Sequence, residues 1–189
     1  EPKTEDIKEE KLEIRDIPNN GKKNILIYSG NLTKNGITTA LFNLLHNINL
    51  DKYNYYITFA ARKVAPHSVI LKSLPDGVNY ISMMGKMNAS LFEKLYLRFT
   101  RKTKLKYDYN KKILDKLYTY EIKRCFGNIK FSHVIQYSGY EFKRQLMFGR
   151  FDCNKIIFVH NNMVEEINVR QAQHPNAIRY AYNHYDKVV

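Results

Sequence analysis

His160 stands directly after the apolar run Ile156-Ile157-Phe158-Val159 and directly before Asn161-Asn162. A histidine that ends a buried strand beside two carboxamides has the hydrogen-bonding groups of a ligand-binding or proton-managing residue. The plainer alternative is a hydrogen-bonded ring at a sheet rim. Glu165 and Glu166 follow closely enough to pair with it. The other histidines, His46, His67, His133, His174 and His184, show neither i,i+4 nor clustered spacing, so no zinc site is expected.

A second candidate is the stretch Ser29-Gly30-Asn31-Leu32-Thr33-Lys34-Asn35-Gly36-Ile37-Thr38-Thr39. It lacks the three glycines of a dinucleotide fingerprint, and no Lys-Ser/Thr follows Gly36 as a Walker loop requires. What remains is a flexible loop running into a helix. Backbone N–H groups there, with Thr38 and Thr39 in the first turn, could meet a phosphate or a sugar; a plain strand-to-helix turn uses the same residues.

A third candidate is electrostatic. Between Lys86 and Lys130 thirteen bases face four acids, which places +9 of the chain's +13 in one region. Within it Leu91, Phe92, Leu95, Tyr96 and Phe99 share one helical face, and Lys94, Arg98, Arg101 and Lys102 share the adjoining one. That pattern suits docking on anionic lipid. It equally suits a helix packed on a sheet with a solvated basic side. Tyr107, Tyr109, Tyr118 and Tyr120 interleave with lysines, as nucleic-acid-binding surfaces do, but no RRM, KH, helix-turn-helix or zinc-finger signature accompanies them. No nucleic-acid partner is expected. Cys125 and Cys153 have neither C-x-x-C spacing nor a ligand-spaced histidine, and read as reduced, structural residues of a cytosolic protein.

The elements that must position these residues alternate. Residues 24–28 read as a buried strand, 36–48 as a helix, 55–60 as a strand, 68–74 as a short helix and 78–82 as a strand. A helical pair follows over 89–125. Then come a strand at 134–137, a helix at 141–148, a strand at 155–160 and a helix at 175–185 leading to a last strand. The alternation predicts an α/β domain, a parallel sheet flanked by helices in three layers. In such a sheet ligands gather at the carboxyl ends of the strands. Those ends are 29–36, 61–67, 83–87, 138–140 and 160–163.

The whole composition sets outer limits. With 189 residues, 44% hydrophobic and 26% charged, the chain suffices for one globular domain. A mean hydropathy of −0.50, with no apolar run near the roughly 18 residues of a membrane span, predicts no spanning helix. Residues 1–21 carry an acidic segment, net −3 over the first sixteen, ending in Pro18-Asn19-Asn20-Gly21. They read as a linker or tail, and 22–189 as the folded domain. The absence of an initiator Met and the abrupt end at Val188-Val189 point to excision from a longer protein. Abundant Lys, Asn, Ile, Tyr and Phe without Trp points to an AT-rich bacterial genome.

From Lys22 to Val189 the pieces KKNILIYSGNLTKNGITTALFNLLHNI, YSGYE, IIFVHNNM and YNHYDKVV, in that order and spacing, resemble the N-terminal Rossmann-like domain of GT-B glycosyltransferases of the retaining family-4 type. Relatives there have two adjacent glycines where this chain has Asn35-Gly36. The resemblance implies transfer of a sugar from a nucleotide-sugar donor, with no metal and no other cofactor, to an acceptor held by this domain. It carries donor or acceptor contact to Gly36, with Gly30 and Asn35 of the same loop, and more loosely to Thr38, Ser138, Tyr140 and Asn162. It carries the sugar-facing catalytic rim to His160. The family's nucleotide site, with its E-x7-E motif, belongs to a C-terminal domain expected beyond these residues, so the fragment alone is expected to be inert. Because relatives place a membrane-facing helix where the basic pair lies, the resemblance also implies a lipid-linked acceptor, such as a growing cell-surface polysaccharide or teichoic-acid-type polymer. The expected location is cytoplasmic, at the inner face of the cell membrane. The competing expectation is a basic nucleic-acid-binding or non-catalytic membrane-docking α/β module.

Overall fold

The apolar run that begins the domain is buried on both sides, as a central parallel strand must be: Ile25, Leu26, Ile27 and Tyr28 are all within the core. In the computed structural model, which describes residues 20–60, 69–83, 86–103, 112–139, 141–170 and 174–189, this run is strand β1 (Lys23–Tyr28). It is followed by α1 (Gly36–Leu45), β2 (Tyr53–Ala60), α2 (Val69–Lys72), β3 (Val78–Met83), α3 (Leu91–Thr103), α4 (Lys112–Phe126) and β4 (His133–Gln136). The chain continues through α5 (Phe142–Phe148), β5 (Asn154–Ile157), α6 (Met163–Arg170), α7 (Pro175–His184) and β6 (Lys187–Val188). The acidic residues 1–19 and the strand-end loop 61–67 lie outside the described residues.

All five strand pairings are parallel, and the six strands lie in the order β3-β2-β1-β4-β5-β6. This is a Rossmann-like arrangement. Strand periodicity of two sorts the sheet residues into two cores. Leu26, Tyr28, Tyr56, Val134 and Ile157 face one side, where Leu97 of α3, Leu114, Leu117 and Tyr118 of α4, Leu146 of α5 and Ala181 of α7 cover them. Ile25, Ile27, Tyr55, Ile57 and Phe59 face the other, under Leu41 and Leu45 of α1 and Leu71 of α2. Helices on both faces of one sheet give the three layers.

Several element boundaries shift by one to three residues from the sequence reading, and two differences bear on the site. The ladder of β5 ends at Ile157 rather than at His160, although Phe158 N–H still donates to Gln136 O at 3.1 Å and Val159 N–H to Val189 O at 2.7 Å. The backbone thus runs on extended while the regular pairing stops. Helix α6 was not expected, since Val164 and Val169 break the apolar periodicity and are both exposed. Asn162 starts it: its Oδ1 accepts from Val164 N–H at 3.1 Å. Glu165 and Glu166 in the first turn suit the positive end of the helix dipole.

Candidate functional site

The strand order reverses between β1 and β4, and the loops leaving their carboxyl ends touch. Ser29 ties the first of these loops to β2: its backbone N–H and its Oγ both meet Thr58 O at 3.1 Å. Gly30 adopts φ +75°, and a Cβ built there would come within 3.0 Å of the Ser138 Cβ. Glycine is therefore what lets the β1 and β4 loops come together. Leu32 holds φ +48°, a left-handed conformation costly for leucine. Its side chain is buried in the core beneath α1, which anchors the turn.

Asn35 ends the loop as the N-cap of α1, its Oδ1 accepting from Thr38 N–H at 2.9 Å and its Nδ2 donating to Thr33 Oγ1 at 2.9 Å. The side chain proposed to meet a ligand thus already has a helix-capping job. Thr38 is buried. Gly36 has no left-handed φ, and a Cβ there would meet nothing within 4 Å. Its contribution is open space above the helix N-terminus rather than a turn.

On the β4 side, Gly139 is held more tightly than any other described glycine. It has φ +67°, and an added Cβ would sit 2.3 Å from Phe158 O. Its N–H donates to Gln136 Oε1, and its carbonyl accepts from Gln145 Nε2 at 2.6 Å. This clamp joins β4, α5 and the segment after β5. Inside it, Ser138 Oγ and Gln136 Nε2 are buried without a hydrogen-bond partner, a state that costs roughly 1–3 kcal/mol per group. Tyr140 lies outside the described residues.

His160 is half-buried beside this loop. Its Nε2 meets the Tyr137 carbonyl, and because a carbonyl only accepts, Nε2 carries a proton and donates in that contact. The Tyr137 ring stands edge-on at 5.0 Å, and Phe158 stacks at 6.2 Å. Glu166, expected from the sequence as a partner for His160, accepts from Asn161 Nδ2 at 2.9 Å. Asn162 is exposed and caps α6. The structure therefore brings Gly30 against Ser138 and His160 against Tyr137 at neighbouring strand ends, while Asn35 and Asn162 serve their own helices.

On the opposite face of the same junction lies a cluster that the sequence reading missed. Tyr28 Oη donates to Glu141 Oε2 at 2.6 Å, and the Arg144 guanidinium lies 5.8 Å over the Tyr28 ring. Burial, then the Glu141 carboxylate, push the Tyr28 phenol far above its ordinary value. It stays protonated and donating. Nothing in a sequence reveals a pair 113 residues apart.

Elsewhere, Lys94 and Arg98 are exposed on α3, while the side chains of Arg101 and Lys102 are outside the description. Burial pushes the Cys153 thiol up to about 11, so it is neutral and weakly nucleophilic near pH 7. Cys125 is buried, and both cysteines are free thiols. Among the described residues no three His, Cys, Asp or Glu side chains form a metal ligand set, and no helix is long and apolar enough to cross a membrane. A surface cavity lined by Lys22, Lys23, Asp51, Lys52 and Tyr53 lies at the amino ends of β1 and β2, the opposite rim of the sheet. The sequence matches no protein-family model and no curated protein.

Proposed function

We propose that this chain is the acceptor-side domain of a GT-B-type glycosyltransferase that moves a sugar from a nucleotide-sugar donor to an acceptor hydroxyl. The observation that carries the reading is the convergence of the Gly30 loop, the α1 N-terminus, Ser138 and His160 at the carboxyl ends of β1, β4 and β5. A sheet of this order binds ligands there. The loop supplies backbone close to a phosphate or sugar at a helix N-terminus, Gly36 leaves room for it, and the buried Ser138 hydroxyl is a polar group with capacity to spare. His160, its ring oriented by the bond from Nε2 to the Tyr137 carbonyl, lines the sugar-facing rim.

In the reaction a bond forms between the acceptor oxygen and the anomeric carbon as the bond from that carbon to the nucleoside diphosphate breaks. The diphosphate leaves with the bonding pair, and the acceptor proton passes to it or to solvent. The nucleotide half of the cleft is supplied by chain beyond these residues.

The test is sugar transfer by the full-length polypeptide, using a panel of radiolabelled nucleotide sugars and a membrane extract as acceptor source. Ser138→Ala and His160→Ala should each lower transfer at least tenfold. Ser138→Ala should not destabilise the fold and should raise stability by up to about 1–3 kcal/mol, because it removes a buried hydroxyl that makes no hydrogen bond. Undiminished transfer by both variants, with the fold intact, overturns the assignment.

A further inference from the structure

The structure separates two readings of α3 that its sequence leaves equal. If the apolar stripe packed on the sheet it would be buried, yet Leu91 is 75% exposed, Phe92 68%, Leu95 56% and Phe99 55%. The helix docks instead through Leu97, which is 4% exposed, with Tyr96 half-buried beside it. At about 100° per residue, Leu91, Leu95, Phe99 and Phe92 span an arc of roughly 100° on the outward side. Lys94 and Arg98 occupy the arc next to it, both exposed. Arg101 falls at a position that continues that basic arc, while Lys102 falls at one within the apolar arc, beyond Phe99 along the helix.

The helix is also held independently of its stripe. Ser90 Oγ accepts from Glu93 N–H at 3.2 Å, and Glu93 Oε2 accepts from Ser90 N–H at 2.7 Å, a reciprocal cap that starts the helix without help from the exposed residues. Leu91, Phe92 and Leu95, large apolar side chains left mostly exposed on one capped helix, call for an occupant. The neighbouring charge selects it. A second copy of this chain would bring basic arc against basic arc, whereas an anionic surface pairs with the bases while the stripe enters its apolar layer.

We propose that α3 is an interfacial membrane helix that seats this domain on a bilayer rich in anionic lipid, with Leu91, Phe92, Leu95 and Phe99 among the acyl chains and Lys94 and Arg98 at the headgroups. The proposal does not depend on the transfer reaction, and its readout is independent of sugar turnover.

The experiment is vesicle co-sedimentation of the 189-residue chain with phosphatidylglycerol–phosphatidylcholine vesicles and with phosphatidylcholine alone. The mixed vesicles should bind about tenfold tighter or more, and the difference should shrink as salt rises toward 0.5 M. Lys94→Glu with Arg98→Glu should abolish the lipid preference. Leu91→Ser with Leu95→Ser should weaken binding to the mixed vesicles at least tenfold, with an unchanged circular dichroism spectrum and melting midpoint. Equal binding to both vesicle types, or binding untouched by both double variants, overturns the proposal. So does concentration-dependent dimerisation lost in Leu91→Ser with Leu95→Ser and accompanied by no vesicle binding.

Discussion

Helices α3 and α4 follow one another in the chain, both are basic, and both repeat apolar residues at helical spacing, yet they meet their surroundings in opposite ways. In α4 the stripe Leu114, Leu117, Tyr118, Cys125 and Phe126 is buried against the sheet. Even the charge in that stripe is accommodated: Glu121 is buried and pairs with Arg124 at 2.6 Å. Hydrogen bonding to Glu121 raises the Arg124 pKa further above its ordinary value. Helix α4 is fastened from outside as well. Arg150 donates to Asp115 Oδ1 and to Leu146 O, each at 2.7 Å, and its guanidinium lies 5.3 Å from the Tyr118 ring and 5.2 Å from the Tyr180 ring. Among its described side chains helix α3 has one that is buried, Leu97, and it has a local cap. Amphipathic spacing thus identifies a face that wants cover, but only the fold decides whether the protein or something else provides it.

The largest effect that would break or sharpen this contrast is a matched pair of truncations. Leu117→Ala should cost about 2–5 kcal/mol through lost burial and a residual cavity, while Leu95→Ala should stay within about 0.5 kcal/mol; urea unfolding midpoints read both. A loss above 2 kcal/mol at Leu95 would mean that the stripe of α3 is packed after all. Next in size, Arg150→Ala should lower stability by about 2 kcal/mol, because a nearly buried guanidinium loses two hydrogen bonds and two aromatic faces. The smallest is Ser90→Ala, worth about 1 kcal/mol. It should appear as faster amide exchange in the first turn of α3, with α4 unaffected.

The same contrast shows what a sequence can disclose. The run at 24–28, the stripe of α1 and the alternation of elements were readable because burial leaves a period of two or 3.6, or a solid apolar run. The parallel sheet followed from them. The position of His160 shortly beyond a strand was readable for the same reason, and so was the loop at Gly30 between β1 and α1. The occupations of Asn35 and Asn162 as helix caps were less visible, since cap and ligand contact use the same amide. The Tyr28–Glu141 pair and the clamp around Gly139 depend on contacts across the sheet, which no local pattern encodes. Helix α6 escaped because its two exposed valines interrupt any stripe.

The seam between β1 and β4 has a temporal consequence. Strands β1 and β2 are joined through a single short helix, but Ser132 Oγ donates to the Asn24 carbonyl across 108 positions of chain. Closing so long a loop is entropically slow, and parallel pairings of this span form late. During synthesis the three strands β1 to β3 are therefore expected to assemble while β4 is still being translated. Gly30 and Ser138 belong to opposite sides of that seam, so this part of the candidate site comes into being only when the seam closes, and a nascent chain halted before residue 136 has strands β1 to β3 but only one side of it.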